Sequence, residues 1–575
     1  MPFQLSPGVN VSEIDLTTIV PAVGTTEGAF VGKFNWGPLE EVRTISSEVE
    51  LVDTFGKPDN NNFTDFFTAA NFLAYARNLK IVRAAGSATA KNASIGNGIL
   101  IKNADDYNSN YINLEAANNA GMFAAKYAGD IGNSLRVSMY ANTNYVSRAD
   151  WNATLWTFAE QFNGAPNTSP YAASVNGVGD ELHIIVIDED GKFTGVANTV
   201  LEKFSYLSKA SDAITSDGSS NYYVNVINER SKYIYVLNHA QDVTSNVTDT
   251  ATWGLSAPGT TFAQGNASYS VALSGGTTGD VTDADRILAY DRFSNAEEID
   301  ISLVVTGAAN LAVVQHCIDN LAEYRKDCVV FCSPTRANVV SVGVGEASNN
   351  AISYRNAIGR STSYAVMDSS WKYQFDKYNN AYRWVPMNGD IAGLCVRTDF
   401  ERDPWFSPAG FNRGAIKNLV KLSYNPDKTD RDELYKNGIN PITTFRGEGT
   451  ILYGDKTMLS RPSAFDRINV RRLFIVLEKA IARAAKYSLF EFNDEFTRAQ
   501  FVALIEPYLR DVQGRRGIYD FRVVCDESNN TPEVIDRNEF IGDIYIKPAR
   551  SINFIQLNFI AVRTGVAFEE VVGKF

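Results

Sequence analysis

Histidine and cysteine are scarce in this chain of 575 residues, with three and five copies, and each shortage removes a class of chemistry. His183, His239 and His316 are too scattered to make a metal-ligand spacing. Cys317, Cys328, Cys332, Cys395 and Cys525 are odd in number and lack the spacing of a disulfide scaffold, which fits reduced thiols in a cytoplasm. Cys328 and Cys332 share one face of a predicted strand. With no other Cys or His nearby in sequence, they read as small buried hydrophobes rather than zinc ligands. No apolar run is long enough to cross a bilayer, and Met1-Pro2-Phe3-Gln4-Leu5 has neither the basic nor the apolar part of a secretory signal.

Positive charge is also in short supply. The chain has 53 Lys+Arg against 66 Asp+Glu, a net −13, so it is a poor candidate for nucleic acid, whose phosphates demand a basic footprint. Phosphate-loop and nucleophile-elbow motifs are absent. Gly343-Val344-Gly345 follows a predicted strand but lacks the third glycine of a dinucleotide fingerprint and reads as a tight turn. Asp188-Glu189-Asp190-Gly191 lacks the length and terminal Glu of a calcium loop and reads as a hairpin turn. Glu491, Asp494 and Glu495 sit at a helix start, where carboxylates cap the helix and complement its dipole. No catalytic, cofactor or metal site is expected.

What is present is organisation. The length suits three or four domains. Residues 1–20 are extended in character, with Pro2 and Pro7 excluding a helix. A helix over about 59–78, striped by Phe63, Phe67, Ala70 and Ala74, precedes a strand at Lys80–Arg83. A second βαβ-like unit runs from a strand at Ile299–Val305 through a helix at Ala308–Arg325, with Leu311, Val314, Ile318 and Leu321 on its buried stripe, to a strand at Cys328–Cys332. Between these units the chain is rich in Asn, Ser, Thr, Gly and Tyr. This texture suggests an α/β domain (21–90 and 285–425) interrupted by a β-rich insertion (91–284). Trp371–Val385 reads as a hairpin turning at Asn379-Asn380.

From Pro426 to Phe575 acids and bases balance at 22 each, so the excess acid lies entirely before Pro426. This last part reads as a small α/β domain (426–563) followed by an extended arm (564–575). A helix over Ile468–Leu489 turns Val470, Leu473, Leu477, Ala480, Ile481 and Ala484 to one side, at roughly 100° per residue. Arg472, Lys479, Arg483 and Lys486 make a narrow stripe on the other. A second helix, Glu495–Val512, buries Phe501, Leu504, Ile505 and Tyr508. Strands are expected at Phe521–Cys525, Ile541–Ile546 and Ile552–Val562. The fold class is therefore mixed, α/β and α+β, multidomain, with extended arms at both ends.

Several segments stand out in order along the chain: Ser6-Pro7-Gly8-Val9-Asn10-Val11-Ser12-Glu13-Ile14-Asp15, Lys126-Tyr127-Ala128-Gly129-Asp130-Ile131-Gly132-Asn133-Ser134-Leu135, Asn221-Tyr222-Tyr223-Val224, Leu273-Ser274-Gly275-Gly276, Trp405-Phe406-Ser407-Pro408-Ala409-Gly410, Gly438-Ile439-Asn440-Pro441-Ile442, Arg467-Ile468-Asn469-Val470-Arg471-Arg472-Leu473 and Phe490-Glu491-Phe492-Asn493-Asp494. As an ordered set they resemble the tail sheath proteins of contractile-tailed phages. The resemblance implies a homo-oligomer of stacked, usually hexameric, rings around a tail tube. It also implies baseplate and tail terminator partners, a place in the virion after assembly in the host cytoplasm, and contraction without a nucleotide. Neither nucleic acid nor membrane insertion is implied.

Three readings compete. A polymerising structural subunit, from a phage or from a phage-like bacterial injection device, predicts sticky termini and no catalytic cluster. A doubly wound enzyme predicts a polar cluster beyond the carboxyl ends of its strands, where Thr306-Gly307-Ala308-Ala309 is small and featureless. A tail spike predicts β-repeats, and none is visible. Under the first reading Phe3, Leu5, Val9, Val11 and Ile14, with Val566, Phe568 and Val572, pair with sheets of neighbouring subunits. Arg472, Lys479, Arg483 and Lys486 then face the tube.

Overall fold

The computed structural model describes residues 26–86, 88–96, 98–113, 120–141, 150–240, 252–265, 268–553 and 556. The expected arms, 1–20 and 564–575, with Phe3, Leu5, Val9, Val11, Ile14, Val566, Phe568 and Val572, lie outside these residues. So does most of the strand expected at Ile552–Val562.

Strands β1 (Gly28–Lys33), β2 (Val42–Ile45) and β3 (Leu79–Ala84) precede the turn-rich stretch. Strands β4 (Leu135–Tyr140), β5 (Glu181–Asp188), β6 (Thr199–Ser208) and β7 (Tyr269–Ala272) lie within it. Strands β8 (Leu303–Val305), β9 (Val329–Cys332), β10 (Ala365–Asp368) and β11 (Ile439–Asn440) follow it. The first and last groups form one seven-stranded sheet in the order β11-β10-β9-β8-β1-β3-β2. Every pairing is parallel except that of β2 with β3. From the β1–β8 pair the order is β8-β9-β10-β11 to one side and β1-β3-β2 to the other, a doubly wound arrangement.

A parallel strand covered on both faces is apolar at nearly every position, and GAFVGK, LVV and VVFC satisfy that. Alternation sends Ala29, Val31, Val82, Val304 and Val330 to one face. Phe30, Ile81, Leu303, Val305 and Phe331 go to the other. The first face is covered by the Leu311–Arg325 helix, which carries a π-helical turn at Cys317–Ala322. Val314, Ile318 and Leu321 of its expected stripe are fully buried.

The second face is covered by α1 (Phe63–Leu73) and α2 (Asn388–Glu401). α1 is shorter than its periodicity suggests, because the Asp59 carboxylate accepts the amides of Asn61 and Asn62 and holds a turn there. It is also buried from Asp65 to Phe72 rather than along one stripe. The sheet lies on one side and α2 on the other, and a Cβ on Gly389 would stand 2.4 Å from the Thr68 carbonyl oxygen. Gly343-Val344-Gly345 follows the short Arg336–Val339 helix, not a strand, and opens the Val344–Ile358 helix. The Trp371–Asp376 and Ala381–Pro386 strands pair as a hairpin, with Asn380 at φ +48°.

β4 to β7 form a separate antiparallel sheet in the order β6-β5-β4-β7. β5 and β6 are neighbours joined by residues 189–198. That connection is longer than a tight turn and is gathered around the Asp188 carboxylate, which accepts from Ser134 Oγ (2.6 Å) and the amides of Phe193 and Thr194. The chain leaves the central sheet and returns to it side by side, since Gly86 and Lys91 donate to the carbonyls of Thr278 and Thr277. Arg83, at the end of β3 and 1% exposed, joins the two parts. Its guanidinium donates to the Phe34 (3.0 Å), Gly37 (2.7 Å) and Ala128 (2.6 Å) carbonyls. Burial pushes it down to about 9.

The C-terminal unit comprises α3 (Ile468–Ala485), α4 (Glu495–Gly514), β12 (Ile518–Val524) and β13 (Asp543–Pro548). Its core joins Leu473, Leu477, Phe501, Ile505, Leu509 and Val512 to Trp405 of the preceding segment.

Candidate assembly surface

β12 and β13 pair only with each other among the described residues. One side of the ribbon rests on α4 through Phe521, Val523, Ile544 and Ile546, while Tyr519 and Tyr545 are exposed. A two-stranded ribbon is marginal by itself and presents unpaired amides and carbonyls on both edges. Beside it, the turn from α3 to α4 exposes Tyr487 (77%), Leu489, Phe490, Phe492 (84%) and Phe496 (75%). α3 gives way at Ala485 to a short 3-10 turn, and Asp494 caps α4 by accepting the Thr497 amide at 2.8 Å. That hydrogen bond holds the Asp494 carboxyl below the usual range. Among the described residues, Tyr487, Leu489, Phe490 and Phe492 belong to no buried core. Soluble monomers rarely expose so much contiguous apolar surface.

The basic stripe expected on α3 is divided by the structure. Arg472 is buried, forms an ion pair with Asp399 of α2 and donates to the Cys395 carbonyl at 3.3 Å. Burial opposes its charge, yet Asp399 holds it above the usual arginine range. Lys479 reaches Asp300 and the Ile301 carbonyl, each at 2.6 Å. Only Arg483 and Lys486 are exposed. The physical reason is a second buried side. Ile468 and Ile475 pack into the core beneath the central sheet, while Leu473 and Leu477 pack into the C-terminal core. A helical wheel shows the larger apolar stripe; it does not show that polar residues opposite it meet another part of the chain.

Beyond the carboxyl ends of β8, β9 and β10 lies a polar cluster that sequence reasoning missed. Asn388, which opens α2, accepts the Gly307 amide (3.1 Å), donates to the Gly307 carbonyl (2.7 Å) and donates to Ser333 Oγ (3.0 Å). Ser333 Oγ donates to Asp368 at 2.6 Å. These groups are buried and consume one another, so α2 fills the crevice in which a doubly wound enzyme holds its ligand. The partners are far apart in sequence, and no local motif could have joined them.

Burial pushes Asp368 up to about 7. The folded chain therefore keeps this proton between the ordinary carboxyl range and about pH 7, where the unfolded chain has lost it. The stabilisation is full at low pH and disappears as pH rises through about 7. Asp368→Asn should flatten the fall in stability between pH 4.5 and 7.5. It should match or exceed the parent at pH 8 in thermal melts, with a difference in slope worth up to about 4 kcal/mol.

The remaining candidate groups are structural. His183 Nδ1 accepts the Tyr206 amide (3.0 Å), so Nε2 carries the proton to the Gly164 carbonyl (2.9 Å). Burial lowers this neutral imidazole to about 4. All five cysteines are free and buried. Among the described residues no His, Cys, Asp and Glu group could hold a metal ion, and no helix is long and apolar enough to cross a membrane.

Among the described residues the surface offers open sheet edges and exposed apolar side chains. Family models match three stretches: the tail sheath protein Gp18 domain III N-terminal region at 28–84, the phage tail sheath protein central domain at 279–458, and the phage tail sheath C-terminal domain at 460–561. The tail sheath protein of Vibrio phage KVP40 is 36% identical, covering 99% of this chain and all of the relative. The chain belongs to the phage tail sheath protein family. The tail sheath protein of Enterobacteria phage T4 is 34% identical, with 99% of each chain covered. A sheath tail protein from Listeria innocua, 12% identical, shares the fold at a TM-score of 0.52, covering 92% of this chain and 96% of its own. The first two family models together contain all seven strands of the central sheet, and the third contains α3, α4 and the ribbon. The residues from 85 to 278, with the β4–β7 sheet of this sheath protein, lie between the matched stretches.

Proposed function

We propose that this sheath protein polymerises as stacked, hexameric rings around a tail tube, joins baseplate and terminator proteins at its ends, and contracts to drive the tube through a host envelope. Its role is structural rather than enzymatic, and its place is the virion after assembly in the host cytoplasm. The observation that carries this reading is the C-terminal ribbon, open on both edges among the described residues and set beside the exposed run from Tyr487 to Phe496. Strand addition from neighbouring arms satisfies the edges and covers apolar surface in one step. Electron microscopy of the purified chain tests it: tubes or rings are expected, and a population of monodisperse monomers at all concentrations would overturn it.

Residues 91–284 form the outer layer, carrying much of the acid that precedes Pro426 away from the tube. Limited proteolysis of assembled sheaths should cut first in this region. Early cutting in the 426–563 unit with protection of 91–284 contradicts the arrangement.

Arg483 and Lys486 are the tube-facing groups, because Arg472 and Lys479 are engaged within the subunit. Each contact contributes about 0–1 kcal/mol, and repetition over many copies makes the attachment salt-sensitive. Reversing Arg483 and Lys486 to Glu should leave the subunit's melting temperature unchanged and yield sheaths that detach from tube or contract early. Extended tails indistinguishable from the parent at low salt count against a tube-facing role.

A further inference from the structure

A cleft of about 390 Å³ opens where the segment after α2 meets the end of α4. Four arginines line it, Arg402, Arg413, Arg515 and Arg516, against one acid, Asp403. Two of the four are fixed by the fold. Arg413 Nε donates to the Ser407 carbonyl at 2.8 Å, and its guanidinium lies 5.7 Å from the Phe406 ring centre. Burial, then the like charge of Arg402, lowers its basicity. Arg515 forms ion pairs with Asp403 and Asp511 and stacks on Trp405. Arg402 and Arg516 are exposed, and among the described residues neither guanidinium has a hydrogen-bond or ion-pair partner. Two unpartnered cations beside two fixed ones, in a chain of net charge −13, call for a ligand with adjacent carboxylates.

The chain holds several such pairs, one of them near its C-terminal end. The C-terminal segment contains Glu569-Glu570, flanked by Phe568 and Val571. The polypeptide also passes out of the described residues close to the cleft. Ser551 Oγ donates to Asp455 at 2.7 Å, Ser407 Oγ donates to the same carboxylate oxygen at 3.0 Å, and the Ser407 carbonyl accepts from Arg413. In a polymer of identical subunits, every such exit lies beside a cleft, so a tail that leaves its own subunit vacates the cleft for a neighbour's. We propose that the Arg402–Arg516 cleft receives the Glu569–Glu570 pair of a second copy. The inference rests on the polymer reading above and adds a specific charged contact to it. Bidentate geometry makes arginine the suited partner for a carboxylate.

The test uses full-length chains in two reversed forms, R402E/R516E and E569R/E570R. Each alone should need at least about tenfold more protein than the parent to form sedimentable tubes. Their equimolar mixture should assemble within about threefold of the parent, because each variant's tail then fits the other's cleft. Parent-like assembly of either variant alone overturns the proposal. So does failure of the mixture, including the case where only the chain carrying all four changes recovers, which would mean that the tail binds its own subunit. Circular dichroism and melting temperature check folding, and R402Q/R516Q serves if the reversed cleft fails to fold. Absence of tubes from the parent itself counts against the polymer reading instead, so the two failures are distinguishable.

Discussion

Subunits lacking residues 1–20, or lacking 564–575, will remain soluble and monomeric at concentrations where the intact chain forms tubes. The two segments carry Phe3, Leu5, Val9, Val11 and Ile14 at one end and Val566, Phe568 and Val572 at the other, with Phe3/Leu5, Val9/Val11 and Val566/Phe568 spaced two apart. An isolated arm has no core in which to bury them, whereas a strand added to β12 or β13 gains backbone partners and one covered face, with alternation setting the register. Because the loss is repeated at every subunit junction, the expected effect is abolition of tubes rather than a shift in yield. Sedimentation and negative-stain microscopy measure it, with melting temperatures to confirm that the remainder is folded. Normal tubes from either truncated chain would remove the arms from the assembly mechanism.

The second large effect concerns Arg83. Replacement by Met keeps much of the side-chain volume but leaves the Phe34, Gly37 and Ala128 carbonyls without the guanidinium. An unsatisfied buried acceptor costs about 1–3 kcal/mol, so with three acceptors Arg83→Met should destabilise the subunit by about 3–9 kcal/mol in denaturant unfolding. Ala128 belongs to the turn-rich region and Phe34 and Gly37 to the central one, so the loss should also loosen their junction. Faster proteolysis near residues 84–92 and 275–282 is the accompanying sign. A loss below about 1 kcal/mol would show that water or relaxed backbone replaces the clamp.

How much of this was legible beforehand depended on the distance between interacting residues. The Ile468–Ala485 helix, the βαβ unit around Leu303 and Cys332, the Asn380 hairpin and the Asp494 cap all follow from local pattern, because period and capping are properties of adjacent residues. Of the basic stripe on α3, half is exposed. Arg483 and Lys486 are exposed, while Arg472 and Lys479 meet Asp399 and Asp300, acids that no helical wheel can place. At the sheet's carboxyl ends, Thr306-Gly307-Ala308-Ala309 is small and featureless in sequence. Ser333, Asp368 and Asn388 come to it from three other segments.

The amino-acid sequence by itself therefore determined the family, the absence of catalytic motifs, the acidic front and neutral back of the chain, and the helices and strands whose apolar period is local. Only the tertiary structure decided which charges are spent inside the subunit and which remain for a partner. Arg83 and Arg472 are as basic in sequence as Arg402 and Arg516. The first pair is buried against carbonyls and a carboxylate, whereas the second pair is exposed and unpartnered among the described residues. Burial and pairing depend on groups brought together across hundreds of residues, and charge interactions act through space rather than along the chain.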